Sequence, residues 1–248
     1  MKTTTKKTTS EMYNPLEVLS RLEKHQKSKA EELERCKAEA EERAENFIKR
    51  LFGMKDYFIA VGRILDFISN SNDTWREFRK KKMLFNEDHY NEVGHMPAAI
   101  LANSCGYREF KMHIGCFWVT LNQKRYYPDE NTKQMTGHPS FEVHAKTYKK
   151  LPQCATEKLG RYSLDYTASA KHKTIDEYEF YEGKNRHFHR FVEELLTRDY
   201  YFKENPSIVH DYFNRLDKVL DEELPKLVHA ICTFADKNIN EIKVPSKK

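Results

Sequence analysis

The sequence predicts an α+β fold, predominantly helical, with a long N-terminal helix or arm, a small antiparallel sheet in the middle (about 107–182) and helices at the C-terminal end. Three observations predict it. Between Ala44 and Ile68, the apolar residues Phe47, Leu51, Met54, Phe58, Val61, Leu65 and Ile68 recur at alternating spacings of four and three, which an α-helix stacks into one stripe. From Phe110 to Leu121, and again from Phe141 to Tyr148, the period falls to two, the alternation of a strand. After Asn185 the helical period returns, and helices on either side of a run of strands is an α+β order.

Residues 1–12 form a Thr/Lys tail with nothing to pack, expected to be disordered. Asn14-Pro15-Leu16-Glu17 opens a helix, with Asn as N-cap and Pro at the first helical position, where its missing N–H is not needed. Residues 13–43 read as a charge-rich arm in which Leu19, Leu22, Leu33, Cys36 and Ala40 approximate a heptad seam, interrupted by Gln26 and Lys29. The stretch from Ala44 to Ile68 follows as one central helix, widened by Ile48, Phe52, Tyr57, Ile64 and Phe67 until it asks for burial on most sides. Gly53 and Gly62 are candidate kinks within it. A helix from about Thr74 to Phe85 carries Trp75 and Phe78 on one side and Arg76, Arg79, Lys80, Lys81 and Lys82 around the other.

Helical turns are expected near Glu87–Glu92 and at Pro97–Asn103. Phe110–Leu121 is expected as one strand, buried on both faces in its second half, and Asn122–Ser140 as a long loop. Phe141–Tyr148 is a second strand, and Tyr162, Leu164 and Tyr166 suggest a third after a short helix between Pro152 and Gly160. Ile175–Glu182 is ambiguous, because Thr174 and Glu177 have capping-box spacing whereas Tyr178 and Phe180 alternate. Three helices then follow: one carrying Phe188, Phe191, Val192, Leu195 and Leu196 up to Asn205-Pro206, one from Val209 to Leu220, and one from Pro225 to Ile239. The body, 44–243, reads as a single domain with the β-rich insertion inside it, followed by a tail, 244–248.

Composition narrows the class. A chain of 248 residues buries a core without disulfides, and 12% aromatic residues separate this one from disordered chains despite 33% charged residues and a mean hydropathy of −0.85. No apolar run reaches the roughly twenty residues of a membrane span. The start carries positive charge but no apolar run behind it, unlike a secretory signal. Five cysteines without close pairs point to reduced thiols and an intracellular site, cytoplasm or virion. Residues 101–174 hold 12 Lys and Arg against 6 Asp and Glu, whereas residues 175–248 hold 12 against 15, so the middle is basic and the end slightly acidic.

Few residues fit known chemistry. The 11 histidines contain no His-x-x-x-His pair, no Cys-x-x-Cys stands beside them, and His187 and His189 fall on opposite sides of a helix, so no metal is expected. Arg108-x-x-x-x-His113 resembles the ribonuclease motif of HEPN domains, but there the motif lies on a helix and here it enters a strand. His138-Pro-Ser-Phe141 and His172-Lys-Thr-Ile175 resemble the repeated element of two-histidine phosphoesterases, one His as base and its mate as acid. Asp165 followed by Glu182-Gly-Lys184 resembles the PD-(D/E)xK nuclease pattern in spacing, with Gly183 in place of an apolar residue. Lys124, Arg125, Tyr126 and Tyr127, with Lys146, Lys149 and Lys150, interleave cations and rings as single-strand binding surfaces do.

The reading that follows is a non-enzymatic structural or interaction protein, a component of a larger intracellular or viral assembly. It contacts RNA or DNA through the cations of 76–82 and of the basic middle. It meets a protein partner, or a second copy, through Leu19, Leu22, Leu33, Cys36 and Ala40, and needs no cofactor and no membrane. The alternative is a metal-dependent nuclease or phosphoesterase using His138, His172 or the set Asp165, Glu182 and Lys184.

Overall fold

The computed structural model describes residues 14–86, 97–103, 110–124, 127–128, 135–136, 139–148, 170–184, 186–199, 202–203 and 205–242. The tail, the turn at 87–92, the short helix after Pro152 and the strand at 162–166 lie outside them. The element order is α1 (Pro15–Gly53), α2 (Lys55–Ser69), α3 (Asn72–Lys80), β1 (Leu84–Asn86), β2 (Ala99–Asn103), β3 (Phe110–Ile114), β4 (Phe117–Lys124), β5 (Tyr127–Pro128), β6 (Met135–Thr136), β7 (Pro139–Tyr148), β8 (Ala170–Ile175), α4 (Glu177–Tyr181), α5 (Arg186–Thr197), α6 (Val209–Lys218) and α7 (Leu224–Lys237). The predicted class holds: helices flank a small antiparallel sheet, and a long helix leads.

Helix α1 begins as the sequence requires, the Asn14 side chain accepting from the Leu16 amide at 3.1 Å with Pro15 behind it. The expected single helix over 44–68 is two helices, interrupted at Met54 (φ −96, ψ 12), whose N–H reaches back to the Arg50 and Leu51 carbonyls. The break leaves the stripe in phase. Phe47, Leu51, Phe58, Val61, Leu65 and Ile68 are all buried, and Met54 packs against them half-buried. Burial on most sides does not hold for α2, because Tyr57 (38%) and Phe67 (42%) stand in solvent. Helix α3 starts two residues before the predicted Thr74 and stops at Lys80, after which Leu84–Asn86 pair as a strand.

The main sheet has the order β1-β2-β3-β4-β7-β8, with β1 parallel to β2 and every other neighbour antiparallel. Pro97–Asn103 is therefore not a helical turn. Ala99–Asn103 lie opposite Ile114–Phe110 in a ladder, and cross-strand pairing overrides the helical preference of Ala and Leu. Nor is Phe110–Leu121 one strand: Gly115 (φ 58) and Cys116 form a two-residue turn, and Ile114 pairs with Phe117. The core side chains change parity there, from Phe110, Met112 and Ile114 to Phe117, Val119 and Leu121. That switch of phase is what a two-residue turn does to an alternating pattern, with Gly at the first position as the II′ turn demands. Within the expected loop 122–140, β4 and β7 continue to pair to Lys124 and Pro139, and β5 pairs with β6.

One face of the sheet carries the core. Phe47 of α1 meets Phe117 of β4 at 5.1 Å between ring centroids, and Phe117 in turn meets Phe191 of α5 at 5.3 Å and Phe213 of α6 at 6.3 Å. Phe78 of α3 meets Phe234 of α7 at 5.2 Å. Helix α1 packs on α5 and α6 and helix α2 on α7, so the central stripe finds its mates in the C-terminal helices, as expected, with the sheet as a third partner. The remaining boundaries move by local chemistry. Asp176, not Thr174, caps α4, its carboxylate accepting from the Glu179 amide at 2.9 Å. Helix α5 ends at Thr197, and Asn205-Pro206 opens a 3₁₀ turn (Pro206–Ile208) that leads into α6. Between α6 and α7 the helix does not break at Pro225. A π turn, Val219–Glu223, absorbs the missing N–H and the ring.

Candidate functional site: a projecting arm, a basic helix and a polar sheet face

The first half of α1 leaves the body. Residues 14–32 are exposed throughout, about 27 Å of helix at 1.5 Å per residue. Leu16 (75%), Leu19 (51%) and Leu22 (54%) lie in solvent there. The predicted seam divides in space: Leu33 is half-buried against the core, whereas Cys36 and Ala40 are buried within it. Those two belong to the body and present nothing to a partner. Polar contacts fasten the same stretch, since Glu39 meets His210 of α6 and Arg50 bridges Asp217, at 2.6 Å, and Asp221. The arm available for contact is therefore 14–35, and its charge is split. Arg21, Lys24, Lys27 and Lys29 outnumber Glu17 and Glu23 toward the tip, while Glu31, Glu32 and Glu34 face one Arg35 near the body.

The cations of α3 are all exposed: Arg76, Arg79, Lys80, Lys81 and Lys82. Two of them are engaged on their own helix, Lys80 with Glu77 at 2.6 Å and Arg76 with Asp73 at 3.6 Å. Lys80 holds the Glu77 carboxyl below its usual range. Trp75 and Phe78, stacked at 5.8 Å, seat the other side of the helix, with Trp75 edge-on to Phe110 at 5.9 Å. Lys82 takes a left-handed conformation (φ 55) just past the helix end, where glycine is the usual residue.

The second face of the sheet is polar and largely buried, with His113, Trp118, Thr120 and His144 buried and Thr174 exposed at its β8 end. His113, Trp118, His144 and Thr174 form one row across β3, β4, β7 and β8, because each pair is a register pair. Trp118 stacks on His144 at 4.9 Å and 15°, with His113 5.7 Å away on the other side. The His144 ring is held at both nitrogens, Nε2 by the Thr120 hydroxyl at 2.9 Å and Nδ1 by the Thr174 hydroxyl at 3.2 Å, with Glu142 3.4 Å from Nε2. Burial, with Lys111, Lys146 and His144 nearby, holds the His113 imidazole well below its ordinary range, so it is neutral near pH 7. A base with one nitrogen on a nucleophile and the other on a carboxylate could relay a proton. In His144, Nδ1 meets the exposed Thr174 hydroxyl, while Nε2 meets the buried Thr120 hydroxyl at 2.9 Å with Glu142 at 3.4 Å, so Thr120 takes the closer place on the nitrogen that the carboxylate would have to hold. The arrangement orders the sheet face. The sequence shows its alternation, but not the register that assembles the row.

Glu182 and Lys184 lie exposed on the turn after α4, 3.4 Å apart. Their proposed mate Asp165 is outside the described residues, as are His138, the proposed mate of His172, and Arg108, Arg125, Tyr126, Lys149 and Lys150. His172 lies opposite Lys146 in the β7–β8 register, Lys124 ends β4 and Tyr127 opens β5. Lys146 is half-buried on the polar face. Among the described residues no three His, Cys, Asp or Glu side chains converge so as to hold a metal ion, and no helix is long and apolar enough to cross a membrane.

Two concave surfaces escaped the sequence reading. One, a 580 Å³ cleft beside β8, joins Phe52, Phe141, Tyr178 and Tyr181 to Glu142, Asp176, Glu177 and Glu182. The other is an apolar furrow of 430 Å³ between α2 and α7, lined by Ile64, Phe67, Cys232, Ala235, Asp236, Ile239 and Ile242. Compared with protein families, curated proteins and solved structures, the chain matches none.

Proposed function

We propose that this protein is a non-enzymatic interaction protein, a component of a larger intracellular or viral assembly, that attaches through the projecting half of α1 and contacts RNA or DNA through the cations of α3 and the basic middle. The observation that carries the reading is the exposure of Leu16, Leu19 and Leu22 on a helix that has left its own body. The projecting half has no packing of its own to stabilise it, and a partner along its apolar side would supply that packing. The body supports the reading by being complete without the arm, since Cys36, Ala40 and Ala44 already close its core. Arg79, Lys81 and Lys82 offer a phosphate-contacting edge whose binding weakens as salt rises.

The test is purification of the tagged chain from its native source beside the Leu19→Glu/Leu22→Glu variant. The reading expects a large complex for the first and its loss for the second. A native chain that runs alone, or a variant that keeps every companion, would overturn it. Gel shift with labelled RNA and DNA examines the second contact, which should fade with salt and in Arg79→Glu/Lys81→Glu/Lys82→Glu.

A further inference from the structure

The leucine side of the arm and the furrow between α2 and α7 are both apolar and both exposed, and their dimensions agree. Leu16, Leu19 and Leu22 recur every three residues and spread over about 9 Å of helix axis. The furrow's α7 side runs from Cys232 to the helix end at Lys237, about 8 Å, and on to Ile239 just beyond it, and Ile64 and Phe67 of α2 form the opposite wall. Ile239 is 64% exposed and Phe67 42%, so the floor is open to a helix laid along it. Charges match at the edges. The arm tip is net positive through Arg21, Lys24, Lys27 and Lys29, while Asp236 is the charged residue in the furrow's lining.

The rest of the arm narrows the choice of occupant. Two arms cannot pair readily along the leucine side, because that side of α1 runs into its own body at Leu33 and Cys36. A second arm lying there would meet the body. A furrow on another copy presents no such obstacle.

We propose that the tip of α1 docks in the α2–α7 furrow of a second copy of this chain, with Leu16, Leu19 and Leu22 as the anchors. The proposal rests on the reading of the arm as an attachment surface and names its partner. The contact is heterologous, so each copy keeps one free arm and one free furrow, and repetition builds a ring or an open chain. The mode is that of an amphipathic helix in a groove, read by anchors on one helical face.

Complementation tests this with the full chain. Leu19→Glu/Leu22→Glu disables the arm and Ile239→Glu disables the furrow, each at exposed positions. Light scattering should show concentration-dependent growth of the unsubstituted chain, a monomer for either variant alone, and a 1:1 dimer when the two variants are mixed, because one intact arm then meets one intact furrow. Cys232 gives an independent readout: its alkylation, followed by peptide mass spectrometry, should slow as the unsubstituted chain is concentrated, and not in the Leu19→Glu/Leu22→Glu variant. A mixture that stays monomeric, or alkylation of Cys232 that is indifferent to concentration, overturns the proposal. Failure of the broader reading is separate. It requires that the arm variant also keep its companions in the purification from the native source.

Discussion

Replacing Gly115 by Ala strikes the point where the β3–β4 turn is wedged against α6. Gly115 is left-handed at φ 58, and a Cβ there would stand 2.5 Å from Leu216 Cδ2 and 2.5 Å from Tyr212 Oη. The left-handed backbone costs an L-residue about 1–2 kcal/mol, and forcing a methyl into a packed site costs about 1–3 kcal/mol more. The Cys116 amide donates to Tyr212 Oη at 2.8 Å, and a Tyr212 displaced by the methyl loses that bond, worth about 1 kcal/mol. Against this, the stiffer unfolded chain returns about 0.4–1 kcal/mol. The net expectation is a loss of about 2–5.5 kcal/mol, or a fall of about 4–22 °C in Tm for a chain of this size. Urea titration followed by circular dichroism measures it. In the Gly115→Ala/Tyr212→Phe double variant the losses should add to less than their sum, since the phenyl ring removes one of the clashing atoms. A Gly115→Ala protein within about 0.5 kcal/mol of its parent would refute the wedge, because surface changes alone stay in that range.

Other consequences follow from the same structure. His113 is buried neutral, so the unfolded chain takes up a proton that the folded chain refuses. Its share of stability is full above about pH 6.5 and is lost as pH falls below that value, by up to about 1.4 kcal/mol per pH unit. Denaturation midpoints measured from pH 8 to 5 should decline, and His113→Gln should flatten the decline. Burial pushes the Cys116 thiol up to about 12 and raises that of Cys36, so neither should react with a thiol reagent at pH 8 until the protein unfolds, as mass spectrometry of labelled peptides will show. Lys82→Gly should relieve the left-handed residue behind α3 and stabilise by about 0.5–1 kcal/mol, read as a raised urea midpoint.

What the sequence made legible were the features that local spacing controls. The stripe from Phe47 to Ile68 keeps its phase through the break at Met54 because that one residue caps both helices and no further residue is inserted between them, so spacing alone could not reveal the break. In the sheet, the alternation of 110–121 was visible, and so was its doubled burial. The turn at Gly115 hid inside the pattern, its mark being the change of parity from Ile114 to Phe117. Strand β2 was unreadable locally, since Ala-Ala-Ile-Leu-Ala favours helix and only pairing with β3 holds it extended. The same limit applies to the candidate surfaces. The exposed leucines and cations could be picked out one by one, but the furrow is made by residues from Ile64 to Ile242 and the polar row by register pairs on separate strands. Cys36 and Ala40 read as part of the arm because the approximate heptad spacing carries on from a solvated stretch of helix into a buried one.

The most direct test of the central claim, that the apolar side of residues 16–22 serves association and not folding, is to measure stability and mass together in Leu19→Glu/Leu22→Glu. The account predicts a urea midpoint within about 0.5 kcal/mol of the parent, as for exposed positions, while the concentration-dependent increase in mass disappears. A variant that unfolds several kcal/mol earlier, or one that associates as before, would contradict it.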